Sequence, residues 1–405
     1  MVDGAASPNC AAPLRILHCH STFALGGKEA RAARLMNAFG PHARHVVLSA
    51  VPDQLGARDA LLPTLDVEFP GDACAPPLHG KPAQGRYRAL ARYFTQFDLI
   101  LTYNWGSMDA VMARRFFAPF MPLPPLIHHE DGFNADESEK LNWKRNAFRR
   151  LALPTAHALV VPSHRLADIA RQVWGVDGAL HRISNGIATA RYGGPPTPGM
   201  LAGLAMGDGP FLRDGDVCIG TVAGLRAVKD LPLLVAALAQ TPPNIRLIIV
   251  GDGPERAHIA ATAAALGVAD RVLLPGFVAD PAQVIGHFDI MALSSLSEQQ
   301  PIAVMEGMAA GLPILSPAVG DVAAMVAAEN APFIVPRTAD ALAAAMRALA
   351  ADAGLRAAVG TANRARAGAE FDESAMLNRY AALYAGAMGV PPSRLLDAPG
   401  NGGHG

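Results

Sequence analysis

Two carboxylates, Glu298 and Glu306, stand eight positions apart in the stretch Ser294–Pro313. Pro301 lies between them and suits the first turn of a helix, where its missing N–H would have had no intrahelical partner. Gly311 suits the left-handed residue that ends a helix. The spacing therefore predicts that Glu298 lies on the loop before a helix and that Glu306 lies inside that helix.

This arrangement suits an anionic ligand that also carries hydroxyl groups. The first-turn amides of the predicted helix, Ile302 to Val304, have no partners within the helix and stand at the positive end of its dipole, so they form a ready phosphate site. Glu306 follows about one and a half turns later at 3.6 residues per turn, where it can accept hydrogen bonds from sugar hydroxyls. We expect Glu298 to reach the other end of the same ligand.

The segment Glu298-Gln-Gln-Pro301, continued by Glu306-Gly-Met-Ala-Ala-Gly-Leu-Pro313 and by Val319-Gly-Asp321, resembles the E-x7-E signature of the retaining glycosyltransferases of family 4. The family has the GT-B fold, an α/β architecture of two Rossmann-like parallel-sheet domains facing across a cleft, with a C-terminal helix that crosses back to the first domain. The resemblance implies that Glu298 contacts the donor sugar and that Glu306 holds the nucleotide ribose. It also implies that the donor diphosphate lies on the helix N-terminus, with contacts from Gln300, Pro301, Ile302 and Ala303.

Arg226 and Lys229 follow a predicted strand, where two cations could neutralise a diphosphate whose charge grows as the sugar departs. The resemblance gives both a catalytic role. Family members commonly carry the arginine two positions earlier, where this chain has Gly224, so Lys229 is the better supported of the two. Gly251, in the turn Gly-Asp-Gly-Pro after another predicted strand, is a further donor-binding candidate.

The first half of the chain opens with a predicted strand at Arg15–His20, a glycine pair at Gly26-Gly27 and an amphipathic helix. Strand, glycine-rich loop and helix in this order are typical of a Rossmann-like start. The glycine pair alone fits a plain tight turn as well as a ligand loop. The Gly-Gly-x-Glu form resembles the loop that lies beside the donor diphosphate in the family, which makes Gly26 and Gly27 donor-binding candidates.

The polar run His128-His129-Glu130-Asp131-Gly132 follows a further predicted strand. The carboxyl ends of parallel strands are where doubly wound folds bind ligands. In the family a histidine at such a position approaches the transferred sugar, and the resemblance assigns this role first to His128 and second to His129. Glu130 is a further possible site residue. The residues themselves do not decide between the two histidines, because that choice depends on where the strand ends.

Strands and helices alternate through both halves of the chain, which predicts parallel sheets. A stretch rich in Gly, Pro and short polar residues separates the halves, and a last helix with apolar residues at helical spacing precedes a tail of Pro, Gly and Asn. The predicted organisation is therefore an acceptor domain, a linker, a donor domain, a helix returning to the acceptor domain and a disordered tail, at 14–188, 189–216, 217–370, 371–388 and 389–405.

Composition limits the partners and the compartment. The net charge of −1 does not indicate a nucleic-acid partner. The four cysteines show no C-x-x-C pair or metal-ligand spacing, which predicts no metal site and a reducing, cytoplasmic environment. We find no signal-peptide pattern and no apolar run near the roughly 20 residues of a spanning helix.

Two basic and aromatic stretches, 140–150 and 114–120, leave two interpretations open. One is a solvated helix face. The other is peripheral contact with an anionic membrane at its inner face, where a lipid-linked acceptor would lie.

The function that the resemblance implies is transfer of a sugar from a UDP- or GDP-linked donor to an acceptor hydroxyl on a glycan or lipid-linked molecule, without a cofactor or metal, in exopolysaccharide or cell-surface glycan synthesis. It implies front-side displacement, in which the leaving phosphate helps to take the acceptor proton. One alternative is a non-catalytic nucleotide-sugar-binding protein. Another is an NAD-dependent oxidoreductase, which would need a G-x-G-x-x-G pattern that neither Gly26-Gly27 nor Gly251-Asp-Gly supplies.

Overall fold

The computed structural model describes residues 12–24, 26–71, 74–133, 137, 142–194 and 210–397. The chain divides into two compact units, the first formed by Met1–Ile183 with Leu377–Gly405 and the second by Ser184–Met376. Part of the predicted linker, 195–209, lies outside the described residues, and the domain bounds drawn from the sequence stay a prediction.

The first unit alternates strands and helices along the chain, as predicted. Its described strands are β1 (Leu14–His20), β2 (Ala43–Ser49), β3 (Val67–Glu68), β4 (Leu99–Tyr103), β5 (Leu126–His129), β6 (Ala158–Val161) and β7 (Leu180–Arg182). They form one parallel sheet in the order β3-β2-β1-β4-β5-β6-β7. The intervening helices are α1 (Gly27–Phe39), α2 (Gln84–Phe94), α3 (Met108–Phe117), α4 (Trp143–Ala152) and α5 (His164–Gln172).

The second unit repeats the plan. Its strands are β8 (Val217–Val222), β9 (Ile245–Val250), β10 (Val272–Gly276), β11 (Ile290–Ala292), β12 (Ile314–Pro317) and β13 (Ile334–Val335), in the parallel order β10-β9-β8-β11-β12-β13. Its helices are α6 (Leu231–Leu238), α7 (Arg256–Ala265), α8 (Ala282–Ile285), α9 (Ile302–Ala309), α10 (Val322–Met325), α11 (Ala339–Ala351) and α12 (Ala353–Glu370). The last long helix, α13 (Glu373–Met388), begins in the second unit and continues in the first.

Burial and local capping explain these elements. The central strands are continuous apolar runs such as β9, which is buried at every position, as expected for parallel strands covered on both faces. Ser163 caps α5, because its side chain accepts from Leu166 N at 3.1 Å. Helix α9 ends at Ala309, the left-handed Gly311 follows the C-cap Ala310, and Leu312 N donates to Gly307 O at 2.9 Å, which confirms the predicted stop.

In each sheet the strand order reverses once, between β1 and β4 and between β8 and β11. The loops that leave neighbouring strands at such a point go to opposite faces and leave a crevice where doubly wound folds bind ligands. In the first unit these loops approach closely, since a Cβ on Gly106 would lie 2.1 Å from that of Ser21. The candidate residues of the second unit follow β8 and β11.

The described part of the tail differs from the predicted disorder. The chain continues from α13 into a 3-10 turn at Pro392–Arg394, and Leu395 is fully buried. Arg394 donates to Ala12 O at 2.8 Å. Leu395 gains apolar burial that the Pro- and Gly-rich composition did not indicate. Residues 398–405 lie outside the described residues.

The predicted basic helix is also only partly solvated. It begins at Trp143 behind the capping Asn142, and Arg149 lies buried inside the unit. Lys140 lies outside the described residues. Across the described ranges, no helix combines the length and apolar character needed to cross a bilayer.

Candidate functional site

The second-unit site is built from two loops that are hydrogen-bonded to each other. One follows β8 and ends in the 3-10 turn Ala227–Lys229. The other follows β11, where Leu296 N donates to Val228 O at 2.8 Å and Ser294 Oγ donates to Lys229 O at 2.9 Å. The backbone carbonyls of Val228 and Lys229 are therefore tied to the loop that carries Glu298.

Lys229 and Glu298, which the sequence placed in the site separately, form a direct ion pair. Lys229 Nζ lies 2.5 Å from Glu298 Oε1, and Ser295 Oγ donates to the same oxygen at 2.7 Å. The side chains are 19% and 10% exposed, so little water screens the pair. An anion that recruits Lys229 must share or replace this carboxylate partner. Arg226, on the same loop, is exposed.

Glu306 lies inside α9 and Glu298 lies on the preceding loop, as predicted. Pro301 is the N-cap of the helix, one position before its first residue, Ile302. Ala303 follows in the first turn. Val304 N, which the sequence analysis counted among the unpaired amides, instead donates to Pro301 O at 3.2 Å, so the candidate phosphate-binding amides reduce to those of Ile302 and Ala303. Glu306 is almost entirely buried, and Tyr192 Oη donates to its Oε1 at 2.9 Å. The sequence did not indicate Tyr192, which stands 114 positions earlier.

Gln300 makes a contact within its own unit. Its Oε1 accepts a hydrogen bond from Asn185 N at 2.8 Å, and the residue is buried. The side chain thus ties the chain near Asn185 to the segment leading into α9. The donor-binding role implied for Gln300 stays a prediction.

Two glycines are required by close backbone contacts around the site. A Cβ on Gly251, whose φ is 135°, would lie 1.9 Å from Ala223 O. A Cβ on Gly320, whose φ is 56°, would lie 2.5 Å from Glu298 O. Packing against Ala223 therefore requires a glycine at position 251 whether or not a ligand binds there. The glycine at position 320 allows its loop to lie against the backbone of Glu298.

In the first unit, Gly26 and Gly27 stand at the start of α1. Gly26 is the extended N-cap residue and Gly27 is the first helical residue. A Cβ on Gly27 would meet no atom within 4 Å, whereas one on Gly26 would lie 2.8 Å from Glu29 Oε2. Glu29 is paired with Lys28. The space beside Gly27 is open, so packing alone does not require a glycine there.

His128 and His129 point to opposite faces of the sheet, as successive strand residues do. His129 Nδ1 lies 3.2 Å from Thr102 O, which can only accept, so this nitrogen carries the proton. His129 Nε2 then accepts from Tyr384 Oη at 2.8 Å. Burial lowers the pKa of His129 to about 3, so the ring is neutral. Both nitrogens are engaged, and a ligand would have to replace one of these partners.

His128 is also fully buried, with Nδ1 2.8 Å from Thr102 Oγ1 and Nε2 3.8 Å from Glu130 Oε2. Glu130 is fully buried and lies 3.3 Å from Arg149 Nε. Arg149 also donates to Glu137 at 3.1 Å. His128, His129 and Glu130 therefore all lie within the packed interior of the first unit, and their roles stay predictions.

The sheet face that carries His129 holds a cluster of buried aromatic and imidazole rings. His20 stacks on Tyr103 with centroids 4.0 Å apart, and Tyr103 stacks on His129 at 4.7 Å. His18 Nδ1 lies 3.2 Å from Tyr103 Oη, and its Nε2 lies 3.0 Å from His45 Nδ1. Neither ring nitrogen of His20 has a hydrogen-bond partner among the described residues.

Over the described ranges, no group of three His, Cys, Asp or Glu side chains is arranged to hold a metal ion. The expectation that the reaction needs no metal or cofactor stays a prediction.

Comparison with solved structures identifies the fold. The crystal structure of HepE from Anabaena in complex with UDP superposes with a TM-score of 0.72 at 21% identity, covering 91% of this chain and 98% of that one. WaaG, a glycosyltransferase involved in lipopolysaccharide biosynthesis, matches with a TM-score of 0.63 at 19% identity, covering 92% of this chain and all of that one. The fold is GT-B, with two Rossmann-like parallel-sheet domains.

Two family models match successive parts of the sequence. "Glycosyltransferase Family 4" matches residues 25–191, and "Glycosyl transferases group 1" matches residues 209–366. Together they take in most of the chain, and the chain belongs to the family 4 glycosyltransferases. The resemblance drawn from the E-x7-E segment is confirmed.

Curated relatives match over shorter stretches. A D-inositol 3-phosphate glycosyltransferase of Mycobacteroides abscessus is 35% identical over 139 residues, which is 32% of this chain and 31% of the relative. A 2-deoxystreptamine glucosyltransferase of Streptomyces kanamyceticus is 31% identical over 121 residues, which is 29% of this chain and 30% of the relative. The matches span about a third of the length of these relatives.

Proposed function

We propose that this protein is a retaining glycosyltransferase that moves a sugar from a nucleoside diphosphate donor to an acceptor hydroxyl. The observation that carries the proposal is the Lys229–Glu298 ion pair beside the N-terminus of α9, at the strand-order reversal of the second sheet. The cation and the first-turn amides of Ile302 and Ala303 suit the phosphate oxygens of a sugar diphosphate, and the carboxylate suits its sugar hydroxyls.

In the proposed complex, the diphosphate lies on the first-turn amides of α9, and Lys229 turns from Glu298 to a phosphate oxygen. Arg226 is exposed on the same loop and adds a second charge. Glu298, relieved of part of its ion pair, accepts hydrogen bonds from the sugar. Glu306 accepts from the ribose. UDP and UDP-glucose are bound in the HepE structures of the same fold, which supports a nucleotide donor of this class.

The reaction proposed is front-side displacement. The bond between the sugar C1 and the phosphate oxygen breaks while the acceptor oxygen bonds C1 from the same face, and the acceptor proton passes to the departing phosphate. Negative charge grows on the diphosphate as C1 separates, and Lys229 and the helix amides stabilise that charge. The glutamates then serve as hydrogen-bond acceptors, and no covalent glycosyl-enzyme is formed.

For the acceptor, we propose a glycan or lipid-linked molecule of exopolysaccharide or cell-surface synthesis, bound by the first unit. Supporting it are two exposed aromatic side chains on or just after α3, Phe116 and Phe120. With Tyr87 they line an apolar groove of about 420 Å³. Partly exposed Arg115 lies beside them. This surface suits peripheral contact with an anionic membrane. Cosedimentation with phosphatidylglycerol vesicles tests this contact, and Phe120→Ser should reduce the fraction of protein that sediments with the vesicles.

The test of the activity is nucleotide release from a panel of UDP- and GDP-sugars, with and without EDTA. We expect one donor to be hydrolysed slowly and faster once an acceptor is added. Lys229→Met should lower turnover on the order of 10²- to 10³-fold, because a charge that stabilises the transition state is lost. Glu298→Gln should lower turnover as well.

Glu329→Gln is the matched control, since Glu329 is an exposed carboxylate of the same unit. Donor binding without turnover under any acceptor would replace the proposal with a non-catalytic binding protein. Binding of NAD(H) and of no nucleotide sugar would contradict it altogether. Inversion of the anomeric centre in the product would refute the retaining mechanism.

A further inference from the structure

Tyr192 ends the 3-10 turn Thr189–Tyr192 and is half buried against the apolar residues beneath α9. Its hydroxyl donates to Glu306 Oε1 at 2.9 Å. Burial raises the pKa of Tyr192, and the Glu306 carboxylate raises it further. The phenol is therefore protonated at neutral pH and acts as a donor, and a hydroxyl donating to a carboxylate is a charge-assisted bond.

The backbone around Tyr192 is anchored at other points of the second unit. Asn185 N donates to Gln300 Oε1 at 2.8 Å. Thr189 Oγ1 donates to Asp372 Oδ2 at 2.6 Å. The stretch from Asn185 to Tyr192 is thus tied at Asn185 to the segment leading into α9 and at Thr189 to the residue before α13. Its backbone therefore has anchors besides the bond between Tyr192 and Glu306.

We infer that Tyr192 is a positioning residue that sets the selectivity of the site for ribonucleotides over 2′-deoxyribonucleotides. The inference rests on the proposed function, in which Glu306 accepts hydrogen bonds from the ribose. The terminal torsion of a glutamate is broad, so each hydrogen bond to the carboxylate narrows the orientations that it samples. Tyr192 holds one oxygen and so orients the carboxylate before the nucleotide arrives, which removes part of the ordering cost of binding.

The test compares the binding of UDP and of 2′-deoxy-UDP by isothermal titration calorimetry. The two nucleotides differ only in the ribose 2′-hydroxyl. If the second unit prefers guanine nucleotides, GDP and 2′-deoxy-GDP replace them. Tyr192→Phe removes the hydroxyl and keeps the ring. We expect it to weaken UDP binding about tenfold, the scale of one hydrogen bond to a charged group, and to change 2′-deoxy-UDP binding little.

Three further variants define the result. Glu306→Ala should abolish the preference for UDP, and Tyr192→Phe combined with Glu306→Ala should bind UDP no more weakly than Glu306→Ala alone. Tyr87→Phe is the matched control, because Tyr87 Oη donates to the Asp109 carboxylate at 2.7 Å in the first unit. It removes the same kind of bond and should leave the preference for UDP unchanged.

The outcomes separate this inference from the proposed function. If Glu306→Ala abolishes the UDP preference and Tyr192→Phe keeps it, Tyr192 has no positioning role while the proposed function stands. Equal weakening of both nucleotides by Tyr192→Phe would reduce the tyrosine to a packing residue and overturn the inference. If Glu306→Ala leaves the preference intact, the contact of Glu306 with the ribose 2′-hydroxyl is refuted and the inference with it. If neither UDP nor GDP binds, the proposed function fails as well.

Discussion

Replacing His20 with phenylalanine should stabilise the first unit. His20 is fully buried, and neither ring nitrogen has a hydrogen-bond partner among the described residues. A buried polar group without a partner costs about 1–3 kcal/mol. The ring packs face to face on Tyr103 at 4.0 Å and edge-on to Phe23 at 5.0 Å, contacts that a phenyl ring keeps. At pH 7 we therefore expect His20→Phe to raise the free energy of unfolding by about 1–3 kcal/mol.

The gain should grow at lower pH. Burial, followed by the charge of Lys28, holds the pKa of His20 well below its ordinary value of about 6.5. Between these two pKa values the unfolded chain binds a proton that the folded chain does not. His20 therefore does not lower the free energy of unfolding above pH 6.5. Below pH 6.5 the free energy of unfolding falls by about 1.4 kcal/mol per pH unit on account of His20. Between pH 7 and pH 5 wild type should lose about 2 kcal/mol more than the variant.

Urea unfolding followed by tryptophan fluorescence measures this, because all three tryptophans, at positions 105, 143 and 174, lie in the first unit. His157→Gln, at an exposed position of the same unit, serves as the control and should leave the difference between the two pH values unchanged. A His20→Phe protein that is less stable than wild type at pH 7, or that loses as much stability as wild type on going to pH 5, would show that His20 is hydrogen-bonded and the reasoning wrong.

Two other substitutions follow from close contacts. Gly320→Ala should lower the free energy of unfolding of the second unit by about 1–3 kcal/mol and weaken UDP binding in calorimetry, because the new Cβ would lie 2.5 Å from Glu298 O at a left-handed φ. Gly368→Ala is its control, because a Cβ there meets no atom within 4 Å. Equal effects of the two variants would refute the clash. Arg149→Met should lower the stability of the first unit by about 3–5 kcal/mol in the same fluorescence assay, because fully buried Glu130 loses the guanidinium that lies 3.3 Å away, whereas Glu137 keeps Arg145. Arg150→Met, exposed one position further on, should change the stability by less than about 0.5 kcal/mol, and similar losses for both variants would contradict the burial argument.

Local signals were enough to predict the parallel α/β architecture and much of the second-unit site. Apolar runs of strand length alternate with helical periodicity, and both are read from neighbouring residues. Pro301 and Gly311 mark the two ends of α9, so the loop position of Glu298 and the helical position of Glu306 followed from short-range conformational preferences. The glycosyltransferase family followed from the same segment, because its residues are contiguous in sequence.

Tertiary packing decided what the same residues contact. Glu306 contacts Tyr192, 114 positions earlier in the sequence, and Glu298 contacts Lys229, 69 positions earlier. Hydrophobic periodicity carries no information over such sequence separations. Arg149 carries a charge that favours water, yet it is buried because Glu137 and the surrounding rings replace its solvation.

Sequence alone determined which elements form and which family the chain belongs to, since both depend on patterns between near neighbours. It left His128 and His129 undecided, because the end of β5 was uncertain. Only the folded structure showed that the two histidines point to opposite faces and that both are buried. The physical reason is that burial and hydrogen-bond partners belong to the packed arrangement of distant segments, whereas strand and helix propensity belong to the local chain.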